Sequence, residues 1–499
     1  MAGRRASVSP AQPWRVATLC ALSRTSARRR AARRRPRGQG EPFMDEVVCI
    51  VGGGIAGLGA AHFARLQGLT PIVLEESGSL GGRAGAVCHN GEWFETGGKN
   101  FASDWTLFNG ILRGFHSQTF DRQHPNFHIV IRDRLHAFDK KATLTNGLNM
   151  IRSVGLRGVL RFNGLLKRAA RERDELTYFG DAIRRHELRY DPRPVNAHVP
   201  AILAEGPLRM FTIIMGAAEP DEFSFATLLL LLSSFGKGSH HSLPETTAVL
   251  FKHLAQGTDV RTGHRVTRIA VDNGRVTGVE GRCGGTPFHI PTGRVVVATP
   301  LHRVPVFLEL GAAAAHAVAS IPYHPLALIN ADYDEDVFTP EMNSIMFDPG
   351  SPLGHCSANR MHKRHSVRFT LSGRRARPLL TLDDDRLLSI AQDAFRRIHP
   401  IRGRLRYAHV QRHLGGLCAY GFHYSESRRR LLSVLDGTRG LAFAGDYLFG
   451  HNMEGCLQSA MAAVRHLTGE IGSYHRLHAY PESACGHDAA MRTLLAVPS

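Results

Sequence analysis

The sequence predicts an α/β fold, and three observations carry that prediction. Residues 47–76 read VVCIVGGGIAGLGAAHFARLQGLTPIVLEE, an apolar run, three spaced glycines, a helical stretch and a second apolar run that ends in two glutamates. Uninterrupted apolar runs are typical of parallel strands that are covered on both faces. The composition, 43% hydrophobic and 21% charged, is that of an ordinary globular protein. A chain of 499 residues suits two or three domains.

The first βαβ unit carries the glycine pattern of a Rossmann-like dinucleotide site. Gly52, Gly54 and Gly57 form G-x-G-x-x-G directly after the predicted strand over 47–51. These glycines permit a tight turn, close approach of a pyrophosphate and close packing of helix on strand. Glu75 ends the second strand, where a carboxylate accepts hydrogen bonds from the adenosine ribose and disfavours the 2′-phosphate of NADP. The unit therefore predicts a dinucleotide and leaves FAD and NAD open.

Two glycine-rich segments follow and make a known family recognisable. The series VCIVGGGIAGL, VLEE, LGGRAG and ETGGKN resembles the flavin amine oxidase superfamily, which includes monoamine oxidases, protoporphyrinogen oxidases and phytoene desaturases. The resemblance implies that Arg83 lies beside the FAD pyrophosphate and that Gly97 and Gly98 pass close to the flavin. Two further close-approach turns and a fixed cation exceed what a nicotinamide dehydrogenase usually needs. FAD is therefore the expected cofactor.

Distant segments extend the resemblance. Residues 257–281 predict strands with a hairpin at Asn273–Gly274, and Val266 matches the family position whose backbone contacts the adenine. RVVVATPLHRV resembles the family's strand and turn that lead back to the substrate domain. In GLAFAGDYLFGHNMEG, the resemblance implies that Asp446 accepts hydrogen bonds from the ribityl chain. It also implies that the helix beginning at Met453–Glu454 points its positive end at the flavin pyrimidine edge.

Together the motif and the resemblance predict a set of residues that hold FAD without a covalent bond. Cys418 lies one residue later than the family's covalent attachment pattern and is expected to be an ordinary buried cysteine. The predicted FAD-binding residues are Gly52, Gly54, Ile55, Ala56, Gly57, Glu75, Glu76, Gly82, Arg83, Gly97, Gly98, Val266, Gly445, Asp446, Met453 and Glu454.

The resemblance also predicts how the chain divides. A discontinuous Rossmann-like FAD-binding domain is expected over residues 44–112, 250–302 and 434–475, with a C-terminal tail over 476–499. The two long insertions, 113–249 and 303–433, contain both helix-like and strand-like patterns and are expected to form a mixed α+β substrate domain. The substrate site would then be a cavity at the domain boundary, above the flavin.

The reaction expected is oxidation or desaturation of a small organic molecule by hydride transfer to the flavin N5, with oxygen or another electron acceptor. Amine oxidases usually carry a lysine near the position of Leu328 and an aromatic residue at that of Asn452, so the sequence favours the desaturase or protoporphyrinogen oxidase branches. Two alternatives stay open: amine or amino-acid oxidation proper, and a non-catalytic escort-type binding protein on the same fold. The catalytic residues are not assigned; the weak candidates are Lys99, Asn100, Tyr447, His451 and Asn452.

The net charge of +19 does not indicate a nucleic-acid-binding protein, because much of it comes from one segment. Residues 1–43 contain eleven Arg and one Glu and are expected to be disordered, either as a mis-assigned start before Met44 or as a targeting segment. The eight scattered cysteines indicate neither a disulfide scaffold nor a metal site and fit a reducing, cytoplasmic compartment. No apolar run is long enough to span a bilayer, and peripheral membrane contact stays open.

Overall fold

The computed structural model describes residues 46–115, 121–123, 127–138, 143–172, 189–190, 192–234, 240–243, 245–360, 362–435, 437–450 and 452–471. The two terminal segments of the sequence prediction, 1–43 and 476–499, lie outside these residues, as does His451. The described residues all belong to one compact unit.

A five-stranded parallel sheet holds the glycine motif. Its spatial order is β10–β2–β1–β14–β20, and its strands come from three separated parts of the chain. The strands are β1 (Val47–Val51), β2 (Thr70–Leu74), β10 (Asp259–Arg261), β14 (Val295–Val297) and β20 (Leu441–Phe443). Because parallel strands end at the same edge, the sheet brings residues 52, 75 and 444–445 to one side of the molecule.

A second sheet has seven strands, in the spatial order β19–β15–β18–β17–β16–β7–β8. All neighbours are antiparallel except β16 and β7. Its strands are β7 (Phe127–Ile131), β8 (Arg134–Phe138), β15 (Tyr323–Tyr333), β16 (Ser344–Met346), β17 (Leu353–Arg360), β18 (Lys363–Leu371) and β19 (Leu405–Cys418).

Three smaller sheets and the helices complete the described structure. The remaining strands are β3 (Ala86–His89), β4 (Glu92–Glu95), β5 (Asn100–Ala102), β6 (Asp121–Gln123), β9 (His240–Ser242), β11 (His264–Asp272), β12 (Arg275–Cys283) and β13 (Thr286–Pro291). The helices are α1 (Ile55–Leu66), α2 (Thr106–Arg113), α3 (Thr143–Arg171), α4 (Arg209–Gly216), α5 (Phe225–Ser234), α6 (Ala248–Ala255), α7 (Ala312–Ala319), α8 (Asp384–Arg396), α9 (Tyr424–Leu435), α10 (Asp446–Phe449) and α11 (Met453–Leu467). None of these helices is long and apolar enough to cross a membrane.

The seven-stranded sheet has one apolar face and one polar face. Val367, Phe369 and Leu371 of β18 belong to a separate core that also contains Phe395 of α8. Because side chains alternate along a strand, their neighbours point the other way. We call that opposite side the inner face; on β15, β17 and β18 it carries Leu326, Leu328, Asn330, His355, Ser357, Asn359, Ser366, Arg368 and Thr370.

The predicted α/β fold class is confirmed, and the local predictions within it hold. β1 covers 47–51 as predicted, and the chain turns at Asn273 and Gly274 with φ of 46° and 72°, the left-handed conformation of a tight hairpin. The proposed domain limits stay a prediction.

Candidate active site

Three glycine-rich turns meet beside the edge of the parallel sheet. A Cβ at Gly57 would lie 1.9 Å from the carbonyl oxygen of Gly52, so no other residue lets α1 approach β1 this closely. Gly54 and Gly81 form a bridge between the first two turns. A Cβ at Gly97 would lie 1.8 Å from the carbonyl oxygen of Arg83, so the third turn packs on the second just as tightly.

The predicted adenosine end is assembled from separate strands. The Glu75 carboxylate accepts hydrogen bonds from the amide of Gly53 at 2.7 Å and from that of Ser77 at 2.9 Å. The amide of His264 donates to the carbonyl of Glu75 at 2.9 Å, which brings the start of β11, and with it Val266, to the same place. Two regions that the sequence separates by almost 200 residues therefore meet where the resemblance expects the adenosine.

Arg83 and Asp446 form a bidentate ion pair, with nitrogen-to-oxygen distances of 2.7 and 3.0 Å. The Tyr323 hydroxyl donates to the same carboxylate at 3.1 Å, and Arg83 also donates to the carbonyl of Gly416 at 3.0 Å. Burial alone would raise the pKa of Asp446, but the Arg83 charge and hydrogen bonds outweigh it and hold that pKa below its ordinary value. The pair joins the GGR turn to the start of α10.

The other C-terminal candidates lie in α10 and at the start of α11. The Asn452 side chain accepts a hydrogen bond from the Gly455 amide at 2.7 Å and is the N-cap of α11, which explains a polar residue at this position. The Glu454 carboxylate accepts from the amides of Leu107 and Phe108 in the first turn of α2, and burial raises its pKa. Tyr447 is fully buried. These contacts give Asn452 and Glu454 structural roles.

Lys99 and Asn100 differ although they are neighbours. Asn100 is exposed, in β5. Lys99 is buried beneath the inner face, where its ammonium group donates to the carbonyls of Ala358 at 2.9 Å and Asn359 at 2.8 Å. Burial and then the nearby Arg368 charge lower the pKa of Lys99 to about 7. Lys99 thus combines burial with a lowered pKa.

The inner face lies directly over the segment ETGGKN (95–100). Asn330 donates to the carbonyl of Glu95 at 3.1 Å, and Arg368 donates to that of Gly97 at 2.5 Å. Arg368 lies deep in the molecule, where burial lowers its pKa to about 10, yet its side chain keeps accessible surface. With a pKa of about 10, Arg368 stays protonated at neutral pH. Sequence reasoning missed Arg368, because it reads as an ordinary polar position in an alternating strand.

Two other predicted positions have contacts of a different kind. Glu76 is exposed and pairs with Arg303 at 3.1 Å, so its carboxylate is turned toward a surface arginine. Cys418 is a buried free cysteine at the end of β19, and burial raises its thiol pKa well above the ordinary value.

The residues at the glycine turns fit FAD. The N-cap of α1 is Gly54, which offers no side-chain cap to the first amides of the helix, and the first turn of α1 contains no acid. A Cβ at Gly54 would have only the Gly81 carbonyl oxygen near it, at 4.0 Å, so the space beside this backbone is open. Open amides at a helix N-terminus favour a phosphate. Glu75 at one end and Arg83 at the other suit the two ends of a dinucleotide.

Solved structures share this fold over most of the chain. A protein from Exiguobacterium sp. 255-15 described as a protoporphyrinogen oxidase is 17% identical, with a TM-score of 0.67, 85% of this chain and 99% of that chain covered. Cyclohexylamine oxidase from Brevibacterium oxydans IH-35A is 15% identical, with a TM-score of 0.65 and coverages of 86% and 99%. A CLA-producing fatty acid isomerase from P. acnes is 14% identical, with a TM-score of 0.62 and coverages of 85% and 99%.

The sequence itself matches a protein family over residues 55–468, and that family is described as flavin containing amine oxidoreductase. The match includes LGGRAG, ETGGKN and the AGD…MEG segment, so the resemblance and the FAD prediction are confirmed. The escort-type alternative rests mainly on the N-terminal glycines and does not account for so long a match. The chain belongs to the flavin-containing amine oxidoreductase family and is an FAD-dependent oxidoreductase.

Proposed function

We propose that the protein oxidises or desaturates an organic small molecule, with bound FAD supplying at its N5 the acceptor for a hydride from the substrate. The environment of Leu328 is the observation that favours this reaction over amine oxidation proper. It is 3% exposed and packs with Ala217, Leu326 and Leu417 in a small apolar cluster on the inner face. By resemblance, this is where an amine oxidase would carry its lysine. An apolar cluster at that position supports chemistry that needs no amine-specific base.

The chain's own residues supply orientation and a dry environment. The amides that open α1 and the cation of Arg83 would hold the pyrophosphate region, and Asp446 keeps Arg83 in place through two hydrogen bonds. The positive end of α11, whose first turn is capped by Asn452, favours negative charge near its N-terminus. The cluster around Leu328 excludes water from the side that would meet the substrate.

Amine or amino-acid oxidation is the second candidate, and Lys99 is the observation that favours it. Its ammonium group reaches the inner face from the ETGGKN segment instead of from β15. With its pKa lowered to about 7 by burial, Lys99 could accept or donate a proton near neutral pH. A lysine of this kind would serve a substrate that loses a proton together with its hydride.

The test uses the purified full chain and its flavin absorbance. We expect a yellow protein whose flavin band is bleached anaerobically by one substrate class and restored by air. Amines, amino acids, porphyrinogens and polyenes are offered separately, and desaturated products are distinguished from imine-derived carbonyl products by mass spectrometry. A folded, colourless protein that takes up no added FAD would contradict the proposal. Bleaching by simple amines alone would favour the second candidate.

A further inference from the structure

Two buried cations under the inner face have no acidic partner. Among the described residues, neither Lys99 nor Arg368 forms an ion pair with a carboxylate, although both lie deep in the molecule. The nearest acid that acts on both is Glu95, and its carboxylate is bound by Arg360 at 3.0 Å. Buried charges are ordinarily paired, because an isolated charge away from water is costly.

The two cations are close to each other and to the same backbone segment. Arg368 donates to the carbonyl of Gly97, two residues before Lys99. The Arg368 charge is the second largest influence on the Lys99 pKa, after burial. Like charges at close range repel, so each makes the burial of the other more costly. The Glu95 carboxylate acts on Lys99 and Arg368 and also binds Arg360, so three cations share one acid and the described residues here carry an excess of positive charge.

The exposure of the side chains shows which of these charges a ligand can reach. The side chain of Arg368 keeps accessible surface although it is deeply enclosed, and so does that of His355 on the neighbouring strand. Gly98, directly before Lys99, is exposed as well. Burial lowers the pKa of His355 to about 3, so this imidazole is neutral and adds no charge of its own. Arg368 is thus the charged side chain that stays accessible here.

We propose that Arg368 and Lys99 bind a carboxylate group of the substrate. A guanidinium offers a planar pair of donors that matches a carboxylate, and Arg368 has donors to spare beyond the one used on Gly97. Lys99 uses two of its three donors on carbonyls and has one left for the same anion. A substrate carboxylate would add negative charge beyond that of Glu95, which Arg360 already binds.

This inference rests on the proposed function and narrows it to substrates that carry an acid group. Amino acids and porphyrinogens carry carboxylates, whereas simple amines and hydrocarbon polyenes do not. The apolar cluster of Leu326, Leu328 and Leu417 would contact the uncharged part of the molecule. The inner face thus has a charged end and an apolar end, which suits an amphipathic organic acid.

The test measures binding of two acids to the FAD-loaded protein against their neutral amides. Benzoate and octanoate are titrated beside benzamide and octanamide, with the flavin difference spectrum and isothermal titration calorimetry as readouts. We expect at least one acid to bind and its amide to bind far more weakly. Loss of the charge in Arg368→Gln, which keeps a donor for Gly97, is expected to weaken acid binding about 30-fold and to leave amide binding unchanged.

The matched control is Arg364→Gln, on the same strand. Arg364 pairs with Asp336 at 2.7 Å near the surface, so its loss should leave both affinities unchanged. Lys99→Met provides a second variant should Arg368→Gln fail to fold. The inference is overturned when neither acid binds, when amides bind as well as acids, or when Arg368→Gln and Arg364→Gln behave alike.

A proton readout separates an ion-binding role from a merely structural one. The charged groups that act on Lys99 are Arg368 of β18, Arg360 of β17 and Glu95 of β4, and Lys99 itself lowers the pKa of His355 on β17. With a pKa of about 7 in the ligand-free protein, Lys99 is largely neutral at pH 8, and a bound carboxylate would draw a proton onto it. Calorimetry in two buffers of different ionisation enthalpy should therefore show proton uptake, absent in Lys99→Met. Binding without proton uptake contradicts the part assigned to Lys99.

These outcomes are distinct from those that test the proposed function. A yellow enzyme that oxidises a substrate but binds no acid refutes the subsite alone. A colourless protein refutes the redox proposal, and calorimetry still measures acid binding in that case.

Discussion

Buried charges are treated in opposite ways at the two ends of the candidate site. At the glycine turns, Arg83 and Asp446 satisfy each other through two short hydrogen bonds. Under the inner face, Lys99 and Arg368 contact backbone carbonyls and have no carboxylate among the described residues. The first arrangement is complete within the chain. We expect the second to gain its missing negative charge from a bound carboxylate.

The difference distinguishes paired charges that stabilise the fold from unpaired charges that we propose bind a ligand. Removing one member of a buried pair leaves an uncompensated charge and is strongly destabilising. Removing a buried charge that has no partner relieves the cost of burying it. Such a substitution raises the free energy of unfolding and removes the function that the charge served. Substitutions at the two ends should therefore change the free energy of unfolding with opposite signs.

The largest effect is expected at the glycine turns, where Gly57→Ala should abolish FAD binding and cost about 5 kcal/mol of unfolding free energy. The new methyl would overlap the carbonyl oxygen of Gly52, and neither backbone can move without separating α1 from β1. The flavin band of the purified protein and urea unfolding measure the two effects. Gly164→Ala is the control, because nothing lies within 4 Å of a Cβ there. A Gly57→Ala variant that keeps its flavin would contradict the tight packing of α1 on β1.

Asp446→Asn should destabilise the protein by about 3 kcal/mol and weaken FAD binding, because it leaves Arg83 without its charge partner. The sign with pH follows from the pKa of Asp446, which lies below its ordinary value of 3.8 when folded. Its stabilisation is present above that value and is lost as the pH falls below it. Unfolding by urea at several pH values measures this, with Asp393→Asn, an exposed partner of Arg396, as control. Equal effects of the two substitutions would show that the buried pair contributes no more to the free energy of unfolding than the exposed pair does.

Lys99→Met should give the smallest effect and the opposite sign, a gain of about 2 kcal/mol near neutral pH. The folded pKa of Lys99 is about 7, below its ordinary 10.5, so the unfolded chain binds more protons between these values. The stability of the unchanged protein should consequently rise with pH across that window, and the variant should lack the rise. Melting temperatures from pH 6 to 10 test this, with the exposed Lys252→Met as control. A variant that is destabilised by loss of the two carbonyl contacts would erase the contrast between the two ends.

Sequence patterns predicted the dinucleotide end well because its determinants are local. Gly52, Gly54 and Gly57 lie within six residues, and the strand, turn and helix around them form by short-range rules. The hairpin at Asn273–Gly274 is a second local case, since the turn type demands those residues. Asn452 is a less decisive case, because an asparagine before a helix serves equally as an N-cap or as a residue that faces a ligand. Its hydrogen bond with the Gly455 amide identifies it as the N-cap.

The substrate end could not be predicted from patterns of this kind. An arginine at 368 in an alternating strand predicts a side chain in water, and only the packing of the inner face over residues 95–100 puts it inside. The same packing makes Lys99 a buried cation and not a loop residue. No spacing rule links residues 99, 359 and 368, because their proximity depends on how two sheets approach each other.

The sequence alone therefore determined the cofactor class, the family and the glycine turns, all of which depend on short segments whose geometry is nearly obligatory. The tertiary structure alone decided that Arg83 meets Asp446 across 363 residues and that Lys99 lies near Arg368, with neither of them in an ion pair among the described residues. The physical reason is that charge pairing and burial are properties of neighbours in space. A sequence shows which charges exist, and the fold decides which of them are neutralised.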